Sequence, residues 1–198
     1  MDIFERYTNN QFLSPISSKT LKKIGTHCQL NNRSEVLEVD SGKGAASIVL
    51  AHFFHSQITG TENRTVFIQD AKRRALFEDV THEVNFIESD IENLPFDEKF
   101  FDLVIYLSPP FPCEIDKYLV KIAPLTVISG WISISKTIIK ENGELNSKEK
   151  CEAYVSFNLS DHSSILSFCN TIQTPDGGSH ENSLKNSIIK SLKLFGQK

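Results

Sequence analysis

The sequence predicts an α/β fold with a doubly wound, mostly parallel sheet. Between residues 36 and 134, short apolar runs of strand length alternate with longer segments of helical pattern. The first run ends at a pair of glycines that opens a helix. Strands that alternate with helices in this way pair in parallel through right-handed crossovers. A chain of 198 residues is long enough for one such domain and a short appendage.

Each element follows from its local pattern. The strand predicted at Phe101–Leu107, FDLVIYL, is the most apolar run and suits a strand buried on both faces. The helix predicted at Ala45–Phe54 has small residues first and larger apolar residues after them. The other predicted elements, in chain order, are a helical stretch around Leu21–Ile24, strand Val36–Val39, strand Gln57–Gly60, helix Thr65–Asp79, strand Val84–Ile87, helix Ile115–Ile122 and strand Leu125–Ile134.

The character of the chain changes near Lys136. Residues 136–151 are polar and rich in lysine, which indicates a linker. Beyond them, Ala153–Asn158 and Ile165–Ile172 have the pattern of strands, and a helix is predicted from about Asn182 to Phe195. The predicted parts are therefore a doubly wound core over residues 1–135, a linker over 136–151 and a β-β-α appendage over 152–198.

Composition and charge disfavour several classes of function. Lys and Arg number 21 and Asp and Glu number 25, which gives a net charge of −4. A chain with this net charge is a poor general nucleic-acid binder, because duplex binding depends largely on neutralising phosphates. No apolar run approaches the roughly 20 residues of a membrane span, and we expect no secretory signal. The four cysteines form no CxxC pair, so we expect reduced thiols, no metal site and a cytoplasmic protein.

Two glycines and two carboxylates follow the first three predicted strands. Gly42 and Gly44 follow the first strand, where glycine allows the main chain to approach a ligand closely. Glu62 follows the second strand, about 20 residues later, and a carboxylate there accepts hydrogen bonds from ribose hydroxyls. Asp90 follows the third strand, where an acid accepts a hydrogen bond from an adenine amino group. The carboxyl ends of parallel strands meet at one edge, so these residues predict a nucleotide site.

Together these residues resemble the class I S-adenosylmethionine-dependent methyltransferases over about Val36–Ile134. The family motif, acid-x-Gly-x-Gly-x-Gly, is matched at three of its four fixed places. The resemblance implies a Rossmann-like fold, S-adenosylmethionine as cofactor and transfer of its methyl group to an acceptor. It also implies that Glu38, Gly42 and Gly44 hold the methionine end of the cofactor, Glu62 the ribose, and Asp90 with Ile91 the adenine.

Asp40 departs from the motif, because it replaces the family's first glycine. We include it among the candidate cofactor-binding residues, with two consequences left open. Its side chain crowds the cofactor near the methionine carboxylate, or its charge attracts the ammonium or the sulfonium. The Pro-Gly-Gly that the family has before its fifth strand is also missing. Because alignment of an activated methyl donor supplies most of the rate, no catalytic residue is predicted.

Ser108, Pro109, Pro110 and Phe111 follow the fourth predicted strand and are candidates for the substrate side of the site. Their order resembles the motif with which amino-methylating nucleic-acid enzymes hold a flipped base. The alternative interpretation is a loop stiffened by proline, and the acidic balance of the chain favours it. We therefore expect a small-molecule acceptor, with nucleic acid as the less favoured alternative.

The C-terminal segment resembles a different family. Residues 170–181, Asn-Thr-Ile-x-Thr-Pro-Asp-Gly-Gly-Ser-His-Glu, are similar to the start of the transducer domain in the gyrase-B-like chains of bacterial type IIA topoisomerases. An alternative function is therefore a non-catalytic fragment of such a topoisomerase, or a fusion or remnant protein. The glycine-rich run after the first strand also mimics the ATPase motif of that enzyme. We interpret this as coincidence, because Phe86–Ile105 fits the methyltransferase.

Overall fold

A computed structural model of the chain describes residues 18–107, 115–139, 145–156, 166–169 and 172–173, together with six helical positions between 182 and 193. The chain divides into two compact units, Met1–Leu94 and Pro95–Lys198. Within the described ranges, no helix is both long enough and apolar enough to cross a membrane.

The first unit alternates helices with parallel strands. Its elements are helix α1 (Ser18–His27), strand β1 (Glu35–Val39), helix α2 (Ala45–Phe54), strand β2 (Gln57–Glu62), helix α3 (Thr65–Phe77), strand β3 (Val84–Glu88) and one turn of 3-10 helix (Ile91–Asn93). β1 pairs in parallel with β2, where Glu38 lies opposite Gly60. β2 pairs in parallel with β3, where Gly60 lies opposite Phe86. The strand order in this unit is β3-β2-β1, and its parallel pairing confirms the prediction.

Apolar side chains of the strands and helices form the core of the first unit. Leu37 and Val39 of β1 and Leu50 of α2 are fully buried. Helix α1 packs against α2, where Gly25 makes room for the ring of Phe54. A Cβ at Gly25 would lie 2.2 Å from Cε2 of that ring, so the contact between the two helices requires glycine there.

The ring of Phe86 determines how closely the turn after β1 approaches the sheet. This side chain is 2% exposed. A Cβ at Gly44 would lie 2.4 Å from its Cζ, and a Cβ at Gly60 would lie 2.6 Å from its Cδ1. Gly44 also has a φ of +71°, in the left-handed region that favours glycine. Both glycines therefore allow the turn to pack down onto β2 and β3.

The second unit contains the remaining strands. Its elements are strand β4 (Phe101–Leu107), helix α4 (Ile115–Ile122), one turn of 3-10 helix (Ala123–Leu125), and strands β5 (Thr126–Ile139), β6 (Leu145–Ser156), β7 (Leu166–Cys169) and β8 (Ile172–Gln173). β4 pairs in parallel with β5, and β5 to β8 follow one another as antiparallel neighbours. Phe101, at the start of β4, is buried and contacts the rings of Phe96 and Phe100 edge to face.

β5 and β6 are longer than the sequence predicts. β5 continues to Ile139 rather than Ile134, and β6 begins at Leu145 rather than Ala153. The interpretation of residues 136–139 and 145–151 as linker is therefore wrong, whereas the division of the chain into domains stays a prediction. The polar composition of these residues does not prevent them from forming strands. Strands pair through main-chain N–H and C=O groups, and every residue except proline supplies both. No proline occurs between residues 136 and 156.

The C-terminal β-β-α pattern is seen in part. The single strand predicted at Ile165–Ile172 is two short antiparallel strands, β7 and β8. The described positions of the predicted final helix are helical and exposed: Asn182, Lys185, Asn186, Ile189, Lys190 and Lys193. Of the motif at 170–181, all but Ile172 and Gln173 lies outside the described residues.

We expect Gly60→Ala to lower the free energy of unfolding by about 2 kcal/mol, because the added methyl group overlaps Phe86. The double variant Gly60→Ala/Phe86→Leu should lose less stability than the two single variants together, since the smaller side chain removes the clash. Urea denaturation followed by circular dichroism measures all three. Simple additivity would contradict this account of the contact.

Candidate functional site

The carboxyl ends of the three strands in the first unit carry all the cofactor-binding candidates. Glu38 lies near the end of β1, and Asp40 lies in the turn that follows. Glu62 ends β2, and Asp90 follows β3 at the start of the 3-10 turn. The structure therefore brings together, at one edge of the parallel sheet, the residues that the sequence pattern singles out.

The turn between β1 and α2 is left-handed at three alternate positions. Asp40, Gly42 and Gly44 have φ angles of +53°, +55° and +71°. The Gly44 N–H donates to the carbonyl of Ser41 at 2.9 Å, and α2 begins at the next residue. Aspartate tolerates the left-handed region better than most residues. Asp40 thus keeps the backbone conformation that a glycine would have there.

Two hydrogen bonds fasten this turn to the end of β2. The Ser41 N–H donates to the carbonyl of Thr61 at 2.7 Å. The Gly42 N–H donates to Oε2 of Glu62 at 3.0 Å, and the other oxygen of the same carboxylate accepts from the Arg64 N–H at 3.0 Å. Glu62 is only 4% exposed. The candidate ribose acid is therefore also the acceptor that holds the glycine turn in place.

Glu38 holds the start of α2. Its side chain is 3% exposed, and its Oε2 accepts from the Ser47 N–H at 2.8 Å and from the Ser47 hydroxyl. Burial raises the pKa of Glu38 to about 7, the bonds from Ser47 oppose the shift, and the charge of Glu62 adds to it. Sequence reasoning missed Ser47. Its position three residues after Gly44, within the first turn of the helix, is the signal that indicates this role.

Asp40 lies in a negative electrostatic field. Burial raises its pKa to about 6, with further increases from the charges of Glu62 and Asp90 and an opposing effect from Arg64. Among the residues that the structure describes, none donates a hydrogen bond to its carboxylate. Asp40 thus differs from Glu38 and Glu62, whose oxygens are already engaged.

The segment after β3 is built around Asp90. Its Oδ1 accepts from the Glu92 N–H at 3.0 Å, which caps the 3-10 turn, and its side chain is exposed. Ile91 next to it is buried. The Ser89 N–H donates to the carbonyl of Glu62 at 3.1 Å, so this segment is tied to β2 as well. An exposed acid beside a buried apolar residue suits the polar edge and the face of a purine.

Lys43 is a further residue of the turn that sequence reasoning missed. It is 6% exposed, and its Nζ lies 5.9 Å from the centre of the Phe67 ring. The guanidinium of Arg64 lies 5.2 Å from the same ring. Phe67 of α3 therefore lies close to two cations, one of them within the glycine turn. Phe67 lies near the start of α3, and an apolar residue at such a position is too common to predict this contact from the sequence.

Ser108, Pro109, Pro110 and Phe111 lie outside the described residues. The substrate-side interpretation of these four stays a prediction. Over the part of the chain that the structure describes, no group of three or more His, Cys, Asp or Glu side chains is arranged to hold a metal ion.

Two family models match the chain, and each covers less than half of it. Residues 36–123 match the methyltransferase domain family, and residues 117–198 match the DNA gyrase B family. These matches confirm both resemblances, to a class I methyltransferase in the first part and to the gyrase-B-like chain of a topoisomerase in the C-terminal part. They overlap only at residues 117–123. The gyrase B match begins well before residue 152 and therefore includes β5 and β6.

Two curated relatives are topoisomerase chains of the gyrase B type. The B component of DNA topoisomerase 4 from Rickettsia felis is 36% identical over 76 residues, which are 35% of this chain and 12% of that protein. The B component of DNA gyrase from Mycoplasma genitalium is 33% identical over 61 residues, 31% of this chain and 9% of that protein. The chain therefore spans about a tenth of the length of these relatives.

Solved structures of low sequence identity share the fold. A S-adenosylmethionine-dependent methyltransferase of Thiobacillus denitrificans, in complex with S-adenosylhomocysteine, has a TM-score of 0.60 at 20% identity over 70% of this chain and 56% of that chain. YjhP of Escherichia coli has a TM-score of 0.63 at 18% identity, over 70% and 57%. The [4+2]-cyclase SpnF has a TM-score of 0.56 at 22% identity, over 63% and 46%. Identities this low establish the fold alone, and they confirm the Rossmann-like α/β class.

The raised pKa values predict an unusual pH dependence of stability. For a buried carboxyl whose pKa is raised, the folded state holds more protons than the unfolded state, so stability falls as the pH rises through about 4 to 7. Asp40→Asn removes one such group and should therefore be more stable than the wild type at pH 8, by about 1–2 kcal/mol, with a smaller gain at pH 5.

Thermal unfolding at both pH values, followed by circular dichroism, measures this effect. Asp79→Asn is the matched control, because Asp79 also has a left-handed φ, of +55°, and is exposed. An equal response of the two variants would contradict the role given to burial and to Glu62 and Asp90.

Proposed function

We propose that the carboxyl ends of β1, β2 and β3 bind S-adenosylmethionine and that the protein is a methyltransferase. One observation carries the proposal. The glycine turn after β1 is hydrogen-bonded to the acid that ends β2, and the acid after β3 is close enough for its charge to act on Asp40. The match of residues 36–123 to the methyltransferase domain family supports it.

The described residues fit this cofactor. A carboxylate offers about four lone-pair positions, and Glu62 uses two of them for the Gly42 and Arg64 N–H groups. Two remain for a ribose diol.

The site provides binding and orientation rather than acid–base chemistry. When bound, the cofactor supplies a methyl group on a positively charged sulfur, which is already an activated donor. The turn at Asp40–Gly44 would hold the methionine end of the cofactor, and the carboxylate of Glu62 would hold its ribose. Alignment of this kind provides a large part of the barrier reduction in a displacement reaction. No residue of the chain is assigned a catalytic proton transfer.

The acceptor is proposed to be a small molecule. The net charge of −4 disfavours a general nucleic-acid substrate, because phosphate neutralisation requires excess basic residues. Nucleic acid remains the alternative that the order of residues 108–111 favours. One of the structural neighbours is a [4+2]-cyclase, so proteins of this fold also catalyse other reactions.

A second candidate function is that of a non-catalytic, gyrase-B-like module. The observation that favours it is the gyrase B match over residues 117–198, which covers β5 to β8. Under this hypothesis the C-terminal strands serve in binding a topoisomerase chain, and S-adenosylmethionine leaves the thermal stability of the protein unchanged. A rise of the melting temperature with S-adenosylmethionine would favour the first proposal.

We expect Glu62→Ala to weaken binding of S-adenosylmethionine by more than about tenfold, because it removes the ribose acceptor and leaves two N–H groups unpaired. Glu62→Gln retains an acceptor for the glycine turn and should lose less. Calorimetric titration of the full-length protein measures both affinities.

Glu78→Ala is the charge-matched control. Glu78 is exposed and follows α3, whereas Arg64, the partner of Glu62, precedes that helix at its other end. The affinity of Glu78→Ala for S-adenosylmethionine should equal that of the wild type. Equal affinity in Glu62→Ala would refute the assignment of the ribose acid.

A further inference from the structure

We propose that Asp40 makes this site select the positively charged cofactor over its neutral product, S-adenosylhomocysteine. The inference rests on the proposed function and deepens it. The family motif has glycine at this position and therefore carries no charge there. In this chain a carboxylate lies where the methionine end of the cofactor is expected.

The substitution preserves the shape of the turn. Asp40 has a φ of +53°, close to those of Gly42 and Gly44. The hydrogen bonds that fasten the turn, from Ser41 to Thr61 and from Gly42 to Glu62, are both made. The aspartate therefore adds a charge to a backbone that has kept its glycine-like path.

Among the four candidate acids Glu38, Asp40, Glu62 and Asp90, Asp40 is the one whose carboxylate accepts no hydrogen bond from a described residue. Glu38 accepts from Ser47, Glu62 accepts from two main-chain N–H groups, and Asp90 accepts from the Glu92 N–H. No described residue donates to Asp40, which is half-buried. A half-buried carboxylate without a donor from the chain is stabilised by a cation or a donor from outside it.

The charges around Asp40 leave an excess of negative charge. Glu62 and Asp90 face it with negative charge, and Arg64 faces it with positive charge. With the acids ionised, three carboxylates are offset by one guanidinium. The raised pKa of Asp40 is the expected response of a carboxyl group in such a field.

The two cofactor forms differ by one charge at this end of the molecule. S-Adenosylmethionine carries an ammonium, a carboxylate and a sulfonium, for a net charge of +1. Methyl transfer breaks the S–CH3 bond, its electron pair stays on sulfur, and the homocysteine end becomes net neutral. An additional carboxylate beside that end therefore stabilises the methyl donor more than the product.

The test compares three ligands by calorimetry on the full-length wild type and on Asp40→Asn. The ligands are S-adenosylmethionine, S-adenosylhomocysteine and sinefungin, an analogue whose protonated amine replaces the methyl sulfonium. Asn is close in size to Asp and tolerates a left-handed φ, so the variant isolates the charge. Wild type should bind both cationic ligands about tenfold more tightly than S-adenosylhomocysteine, which corresponds to about 1.4 kcal/mol.

Asp40→Asn should bring the three affinities to within about twofold, mainly by weakening the cationic ligands, while its binding of the neutral product stays the same or improves. Asp79→Asn and Glu88→Gln are the controls, and both should keep the wild-type preference. Asp79→Asn makes the same change in charge at an exposed residue with a similar φ. Glu88→Gln removes the charge of the residue that lies opposite Glu62 in the sheet.

Each outcome distinguishes the inference from the function on which it rests. If the wild type binds all three ligands and Asp40→Asn leaves their ratio unchanged, the role of Asp40 is refuted and the cofactor site stands. If Glu88→Gln reduces the preference as much as Asp40→Asn does, selectivity belongs to the general field and the inference is also refuted. If neither wild type nor Asp40→Gly binds any of the ligands, the proposed function itself is wrong.

Discussion

The bond between the Gly42 N–H and the Glu62 carboxylate is the constraint on which the rest of the site depends. It joins the turn after β1 to the end of β2, as does the bond from Ser41 to Thr61. In the proposed function Glu62 has two roles, because the carboxylate that holds the turn also offers its two remaining lone-pair positions to a ribose.

The sheet of the second unit contains strands from both family matches. β4 lies in the methyltransferase match and β5 in the gyrase B match, yet the two pair in parallel from Phe101 to Leu107. Main-chain hydrogen bonds do not depend on side-chain identity, so strands that match different families can pair with each other. The C-terminal strands continue antiparallel from β5 and extend this sheet. The sheet of this unit therefore continues past the point where one family match ends and the other takes over.

Most of the fold and the positions of the candidate site residues could be predicted from the sequence, because both follow from local patterns. Apolar runs set β1 to β4, and the glycine spacing sets the turn. Contacts that form only in three dimensions could not be predicted, such as the bond from Ser47 to Glu38 and the position of Lys43 near Phe67. The linker prediction is wrong for the residues that form β5 and β6, because a polar sequence is no evidence against strand pairing. Asp40 departs from the motif in sequence, and only its left-handed φ reveals that the turn keeps its shape.

Amide hydrogen exchange of the full-length protein, with and without S-adenosylmethionine, tests the central claim most directly. Binding at the ends of β1 and β2 predicts slower exchange in peptides that contain the turn at residues 40–44 and the segment 62–66. Peptides from β6 to β8 should exchange at the same rate in both samples. Unchanged exchange of the turn at saturating S-adenosylmethionine, or protection confined to the C-terminal strands, would contradict a cofactor site built on Glu62 and the glycine turn.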